Sequence, residues 1–228
     1  MKHFKLITNK RYIIALYSIV CITLSIMGCR DFLNPVSGKV SPGDGIHGDF
    51  LYAAIGYNEL AIVLYTGNIN DVEIPTRIRG NKVTMIGNAA FKDSKLTGVI
   101  IPGHVKKIGI KAFSGNELTS LVLPVSLEII EEEGFMNNRL SSIIFENRVT
   151  TIGVRAFENN NLVSITIPES VMFIRTDAFA GNQLYRVSIG DNVNLGANSG
   201  GFGGNFSQVY NGEGGTFTRT SLGWVREE

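Results

Sequence analysis

From residue 86 onward, apolar and polar positions recur with a period of 22 residues, marked by Phe91, Phe113, Phe135, Phe157 and Phe179. Directly ahead of each ring stands a small residue, Ala90, Ala112, Gly134, Ala156 or Ala178. An isoleucine column, Ile86, Ile108, Ile130, Ile152 and Ile174, precedes it. Three residues after the ring comes Ser94, Asn116, Asn138, Asn160 or Asn182, and then Leu96, Leu118, Leu140, Leu162 or Leu184. From each leucine the pattern runs Leu-x-x-Val-x-Ile, as in Leu96, Val99 and Ile101, and three units close it with Pro102, Pro124 or Pro168. A repeat of this length means stacked units, each too small to bury its own apolar face, that become stable by covering one another. Function is then expected on a surface and not in a catalytic cleft.

The spacing predicts the elements of a unit. Val99 and Ile101 alternate with period two in a β-branched run, which predicts a short strand with one face inward. The proline after it has no N–H to donate and ends the pairing. Strands of successive units should lie parallel in one sheet, about 4.8 Å apart. The return segment, through Ile-Gly to Ala-Phe, predicts an extended piece and a tight turn of 3₁₀ or α type. The small residue leaves room for each ring to stack on the next. Ahead of the array, Phe50 to Ile55 and Leu60 to Tyr65 flank Gly56-Tyr57-Asn58-Glu59 and predict a β-hairpin cap. Val72, Ile74 and Pro75 imitate the strand end of a degenerate first unit. After the array, Gly201-Phe202-Gly203-Gly204-Asn205 imitates Ala-Phe-x-x-Asn one residue late, and Val209, Tyr210, Phe217 and Trp224 are expected to close the stack.

The N-terminus follows a different pattern. Lys2, Lys5, Lys10 and Arg11 precede an apolar run from Tyr12 to Met27, the layout of a secretory signal. The run is short for a membrane span of about 20 residues. It ends in Ile26-Met27-Gly28-Cys29, which resembles a bacterial lipobox, with Cys29 as the lipidated first residue of the mature chain. The alternatives are a plain signal peptide with an incidental cysteine, or an uncleaved anchor. Cleavage before Cys29 would remove four of 21 basic residues, leaving 17 against 20 acidic, a net charge of −3. Such a balance gives no basic patch for nucleic acid. One cysteine would remain, which excludes a disulfide within the mature chain. These readings divide the chain into a signal (1–28), a Pro- and Gly-rich tether (29–48), a β cap with a degenerate unit (49–85), five repeats (86–195) and a C-terminal cap (196–228).

The string Leu-x-x-Val-x-Ile-Pro-x-x-Val-x-x-Ile-Gly-x-x-Ala-Phe-x-x-Asn-x-Leu resembles the Treponema pallidum-type, or BspA-like, leucine-rich repeat of bacterial surface proteins. The resemblance covers Ile86 to Val193, with Glu146 and Gly190 standing where other units have proline. Asparagine or serine occupies a position where that family often has cysteine. The resemblance implies an α/β solenoid, a horseshoe or arc, rich in β structure with one parallel sheet. It also implies a role in adhesion or protein binding, and no catalytic residues.

Chemistry-bearing motifs are few. The glycine cluster near residue 200 lacks both the Gly-x-Gly-x-x-Gly order and a Lys-Ser/Thr pair, so it reads as a loosened sixth repeat and not as a phosphate loop. His3, His47 and His104 are too scattered for a metal site. Val193 interrupts the calcium-loop order of Asp191-Asn192-x-Asn194. Glu131-Glu132-Glu133 reads as a solvated face, and no catalytic constellation or cofactor motif is present. The candidate site is therefore the outward side of the strands. Alternation turns Gly98 and Ile100 outward, and with them Ser120 and Val122, Ser142 and Ile144, Ser164 and Thr166, Arg186 and Ser188. Ile100, Val122 and Ile144 would form an exposed apolar stripe of the kind that marks an interaction surface, although branched residues also suit any sheet face. Tyr185 and Arg186 are a second contact candidate. The sequence thus predicts an exported, lipid-anchored envelope protein, on the outer membrane or cell surface, that binds a host or bacterial protein. A structural, self-associating envelope component is the alternative.

Overall fold

The computed structural model describes residues 45–146 and 148–228, so the predicted signal, Cys29 and most of the predicted tether lie outside the described residues. Residues 43–228 form one compact unit.

Each 22-residue unit crosses the solenoid twice, giving two walls. The first, the ladder wall, carries the Leu-x-x-Val-x-Ile strands: β4 (Asp71–Glu73), β7 (Gly98–Ile100), β9 (Ser120–Leu123), β11 (Ser142–Phe145), β13 (Ser164–Thr166) and β15 (Arg186–Ile189). The second, the return wall, carries two-residue strands at the isoleucine column: β8 (Lys107–Ile108), β10 (Ile129–Ile130), β12 (Thr151–Ile152), β14 (Phe173–Ile174) and β16 (Asn194–Leu195).

Both walls are parallel within the repeats, but continuous pairing runs along the return wall. There Ile86, Ile108, Ile130, Ile152, Ile174 and Leu195 pair in unbroken register. The ladder wall instead pairs in twos: β4 with β7, β9 with β11, β13 with β15. Between the pairs, backbone bonds persist at the leucine end, where Glu117 donates to Leu96 and Asn161 to Leu140. The single sheet expected from the Val-x-Ile strands is thus a broken wall, and the longer sheet lies on the return side. The return sheet and the asparagines described below hold the units together from two other sides, so the ladder wall can open without separating them.

The core between the walls contains the repeat columns. Phe91, Phe113, Phe135, Phe157 and Phe179 are buried and stacked, with successive centroids 5.0, 5.1, 5.5 and 5.5 Å apart. These distances slightly exceed a strand spacing, as offset aromatic stacks require. Tyr65 extends the stack at one end, 5.3 Å from Phe91, and Phe202 at the other, 5.3 Å from Phe179. Phe202 nearly keeps the period, arriving one residue late, whereas Tyr65 comes from the N-terminal hairpin and stands outside it.

Antiparallel pieces close the ends. β2 (Phe50–Gly56) and β3 (Glu59–Tyr65) form the expected hairpin, and β3 pairs parallel with β6 (Asn81–Ile86) to continue the return sheet. Residues Arg77–Ile78 (β5) fold back on β6. Gly45–His47 (β1) pairs with β2, which corrects the predicted tether, drawn as far as Gly48: its last residues belong to the folded cap. Gly45 faces Tyr52 in this pairing, and a Cβ there would lie 2.9 Å from the Tyr52 hydroxyl oxygen, so a larger residue would have to displace the ring's end. At the far end, a 3₁₀ turn (Ala197–Gly201) and a short helix α1 (Phe206–Tyr210) lead to the hairpin β17 (Gly215–Thr220) and β18 (Gly223–Arg226). β17 pairs antiparallel with β15, so the hairpin prolongs the ladder wall. Phe206, Tyr210, Phe217 and Trp224 bury one another beneath it, with the Trp224 ring 5.1 Å from Phe206 in an edge contact.

Candidate binding face

Alternation along the ladder strands decides what faces outward. Leu121, Leu123, Ile165, Ile167, Val187 and Ile189 are buried, while Val99, Ile143 and Phe145 are partly buried and packed against the same core. The intervening residues point away from it. Ile100, Val122 and Ile144 are 63 %, 55 % and 57 % exposed, large values for branched apolar side chains on adjacent strands. Val122 and Ile144 are direct register partners, and Ile100 is partnered on its other side by Glu73. Thr166 and Ser188 continue this column as register partners, and the Ser188 hydroxyl lies 2.9 Å from that of Thr216 on β17.

The neighbouring column is almost entirely hydroxylic. Ser120, Ser142 and Ser164 are exposed, and Ser142 pairs with Ser120. Ser164 pairs with Arg186, whose guanidinium is 2.8 Å from the Glu227 carboxylate. Tyr185 is 54 % exposed and stands beside Val163, itself 43 % exposed, joined through the Tyr185 N–H to Val163 carbonyl bond of 2.9 Å. The structure therefore puts every predicted face residue on one wall, and gathers Ile100, Val122 and Ile144 into a stripe with hydroxyls beside it. Asp71 and Glu73 lie at one end of the wall, Arg186 at the other. Sequence reasoning missed Thr216 and Thr218, which the C-terminal hairpin adds to the wall. Their alternation with Phe217 is visible in the sequence, but their partner strand lies far away along the chain.

Other predicted features are placed elsewhere. Glu131 and Glu133 form ion pairs with Lys107 (2.6 Å) and Lys111 (3.4 Å) of the preceding unit, so the acidic run is half-buried between units and not simply solvated. His104 is exposed at a turn. Among the described residues, no three His, Cys, Asp or Glu side chains converge as metal ligands. Two buried tyrosines titrate above their ordinary range. Burial is the main cause for both, reinforced by Asp49 near Tyr65 and by Asp191 near Tyr210. Each is also tied to the backbone. Tyr65 donates to the Ile69 carbonyl, and Tyr210 donates to the Gly190 carbonyl while accepting from the Val193 N–H. Both hydroxyls thus act in packing, and neither is on the ladder face. No described helix is long and apolar enough to cross a membrane.

Parallel two-walled units with buried leucine, isoleucine and phenylalanine columns define a leucine-rich-repeat solenoid. The sequence profile of the BspA type leucine rich repeat region matches residues 64–199 in six copies, and the chain belongs to that family. Among solved structures, the fold is similar to the T. pallidum leucine-rich repeat protein TpLRR, at 22 % identity and a TM-score of 0.54, covering 68 % of this chain and 83 % of that one. A leucine-rich repeat protein from Bacteroides ovatus is similar at 29 % identity and a TM-score of 0.54, covering 64 % of this chain and 41 % of that one. The pneumococcal vaccine antigen PcpA is similar at 20 % identity and a TM-score of 0.52, over 66 % of this chain and 50 % of that one. The chain thus spans half or less of the last two. No curated protein matches it.

Proposed function

We propose that this chain is a non-enzymatic, lipid-anchored protein of the bacterial cell envelope that binds a protein partner through its ladder face. One observation carries the reading: Ile100, Val122 and Ile144 form an exposed apolar stripe in a column that is otherwise polar. Apolar side chains grouped in this way, rimmed by hydroxyls, favour a partner that takes them out of water, and each contributes in proportion to the area covered. Membership of a repeat family is in keeping with a binding role, because solenoids present long continuous surfaces. The order Ile26-Met27-Gly28-Cys29 after a basic and then apolar segment supports export and lipidation at Cys29. On this reading the ladder face stands outside the cytoplasm, with adhesion to a host or bacterial protein as its use.

The test replaces Ile100, Val122 and Ile144 together by serine. Partner capture by intact cells should be lost while the circular-dichroism spectrum and melting temperature of the purified protein stay close to those of the parent. Capture that survives the triple substitution would remove the ladder face as the binding site. A second reading, a self-associating envelope component, is favoured by one feature: Asp71 and Glu73 at one end of the face and Arg186 at the other would meet if two copies packed antiparallel.

A further inference from the structure

Within the array, one asparagine per unit lies in a cradle built by the unit before it. Asn116 accepts from the Leu96 N–H at 3.0 Å and donates to the carbonyls of Phe91 (2.8 Å) and Phe113 (2.9 Å). Asn138 makes the same three bonds to Leu118, Phe113 and Phe135, Asn160 to Leu140, Phe135 and Phe157, and Asn182 to Leu162, Phe157 and Phe179. Each cradle thus offers one N–H and one carbonyl from the preceding unit at the separation a primary carboxamide requires.

Asn182 is followed by a fifth cradle, formed by the Leu184 N–H and the Phe179 carbonyl, and the chain does not fill it. By position the fifth rung would be Asn205, but that side chain serves the cap. It accepts from the Trp224 N–H (2.7 Å) and donates to the Trp224 carbonyl (3.2 Å). Leu184 N–H has no acceptor among the described residues, whereas Leu96, Leu118, Leu140 and Leu162 each have their asparagine. A cavity of about 410 Å³ opens at this place, lined among others by Phe179, Asn182, Leu184, Phe202, Gly204 and Arg219. The opening reaches the rung itself: Leu184 is 5 % exposed where its four equivalents are at 0 %.

We infer that this cavity, between the last full unit and the C-terminal cap, recognises a primary carboxamide: the side chain of an asparagine carried by a protein partner. The four filled cradles are the template for the contact, since each binds that group with the same donor and acceptor. A carboxylate fits the shape but cannot donate to the Phe179 carbonyl, and an aliphatic side chain leaves the Leu184 N–H unpaired and the Phe179 carbonyl with Asn182 as its one side-chain donor. Arg219 stands at the cavity wall and makes no ion pair among the described residues, so the flanking sequence can carry an acidic residue, as Glu117 follows Asn116 in the first rung. The inference is independent of the ladder-face reading, because it uses none of the residues of the apolar stripe.

Two measurements on the full chain test it. Amide hydrogen exchange should be about 100-fold faster at Leu184 than at Leu118 or Leu140, since only the latter amides have a protein acceptor; equal protection would mean that the cradle is filled from within and would overturn the proposal. The second uses the peptide Phe-Ser-Gly-Asn-Glu-Leu-Thr, the sequence of residues 113–119, blocked by acetyl and N-methylamide groups so that its asparagine supplies the one primary carboxamide. Titration should move the Leu184 amide resonance in a saturable way, and the peptide with aspartate for asparagine should bind at least about tenfold more weakly. Equal responses to the two peptides, or fast exchange at Leu184 with no peptide response because water alone occupies the cradle, would sink it.

Discussion

The asparagines are the residues on which the stacking of units most directly depends. Asn138 is 7 % exposed; it is the acceptor for the Leu118 N–H, and it donates to the Phe113 carbonyl, shared with Asn116, and to the Phe135 carbonyl, shared with Asn160. Asn138→Ala removes all three bonds and leaves the Leu118 N–H unpaired in a dry place. At ~1–3 kcal/mol for each buried group left unsatisfied, a loss of about 3 kcal/mol is expected, read as a lower urea midpoint. Asn138→Asp separates hydrogen bonding from shape. Its carboxylate would accept from Leu118 but face two carbonyl oxygens, so burial and repulsion raise its folded pKa above the unfolded value of about 3.9. Between those two values the folded state binds more protons, so stability falls as pH rises through the interval and returns as pH is lowered. Urea midpoints measured from pH 7 down to pH 4 should therefore converge toward the parent for Asn138→Asp but not for Asn138→Ala. Parallel profiles for the two variants would show that the rung's donation to Phe113 and Phe135 is unimportant.

Within each unit, both its strengths and its costs follow from one tight turn around the phenylalanine. Two residues past the ring the chain enters left-handed backbone, at Asp93, Gly115, Asn137, Asn159, Gly181 and Gly204. Glycine, asparagine and aspartate are the types that tolerate it, so this half of the turn was legible in the sequence. Two residues before the ring the chain does the same at Ala89, Lys111, Glu133, Arg155 and Asp177, with φ between 53° and 57°. Lysine, glutamate and arginine give no hint of such a conformation, which costs about 1 kcal/mol apiece. It is imposed by the inter-unit bonds around it, for example Lys111 N–H to the Glu132 carbonyl and Phe113 N–H to the Gly134 carbonyl. Alternation likewise located the outward residues Ile100, Val122 and Ile144 correctly, because inside and outside are local properties of a strand. Which wall carries the continuous sheet was not legible, since pairing depends on neighbours a whole unit away. Register offers a test at this scale. Deleting residues 119–140 removes one period and joins Leu118 to Ser141, so the strand after the junction can still lie beside β7. This variant should fold cooperatively with a lower urea midpoint, as nearest-neighbour stacking predicts. Deleting only 119–136 leaves surplus residues at the junction and should abolish the cooperative transition; two equally well folded deletions would contradict a fixed period.

At the level of the whole molecule, the ends and the exposed face set how the solenoid can associate. The array ends are closed by antiparallel hairpins, β2–β3 on the return wall and β17–β18 on the ladder wall, so the aromatic stack is covered at Tyr65 and at Trp224, with the single apolar side chains Tyr57 and Leu222 exposed at the hairpin tips. What remains is the stripe of three branched residues, flanked by serines and threonines that remain well hydrated. A stable protein–protein contact buries about 800 Å² on each partner. Three half-exposed side chains can supply only the apolar centre of such an area, so a self-complementary pair must draw the rest from the hydroxyl columns and from the acidic and arginine ends. Those ends are already partly engaged, because Arg186 is held by Glu227 and Asp71 accepts from the Thr97 hydroxyl at 3.0 Å. Self-association should accordingly be weak, and the stripe better suited to a foreign partner that brings its own apolar surface. Sedimentation velocity on residues 43–228, which form one compact unit, should give a single monomer boundary across a hundredfold range of concentration up to about 100 μM, the range over which a micromolar dimer would dissociate. A boundary that shifts toward the dimer with concentration, and returns to the monomer when Ile100, Val122 and Ile144 are replaced by serine, would transfer the face from partner capture to self-assembly.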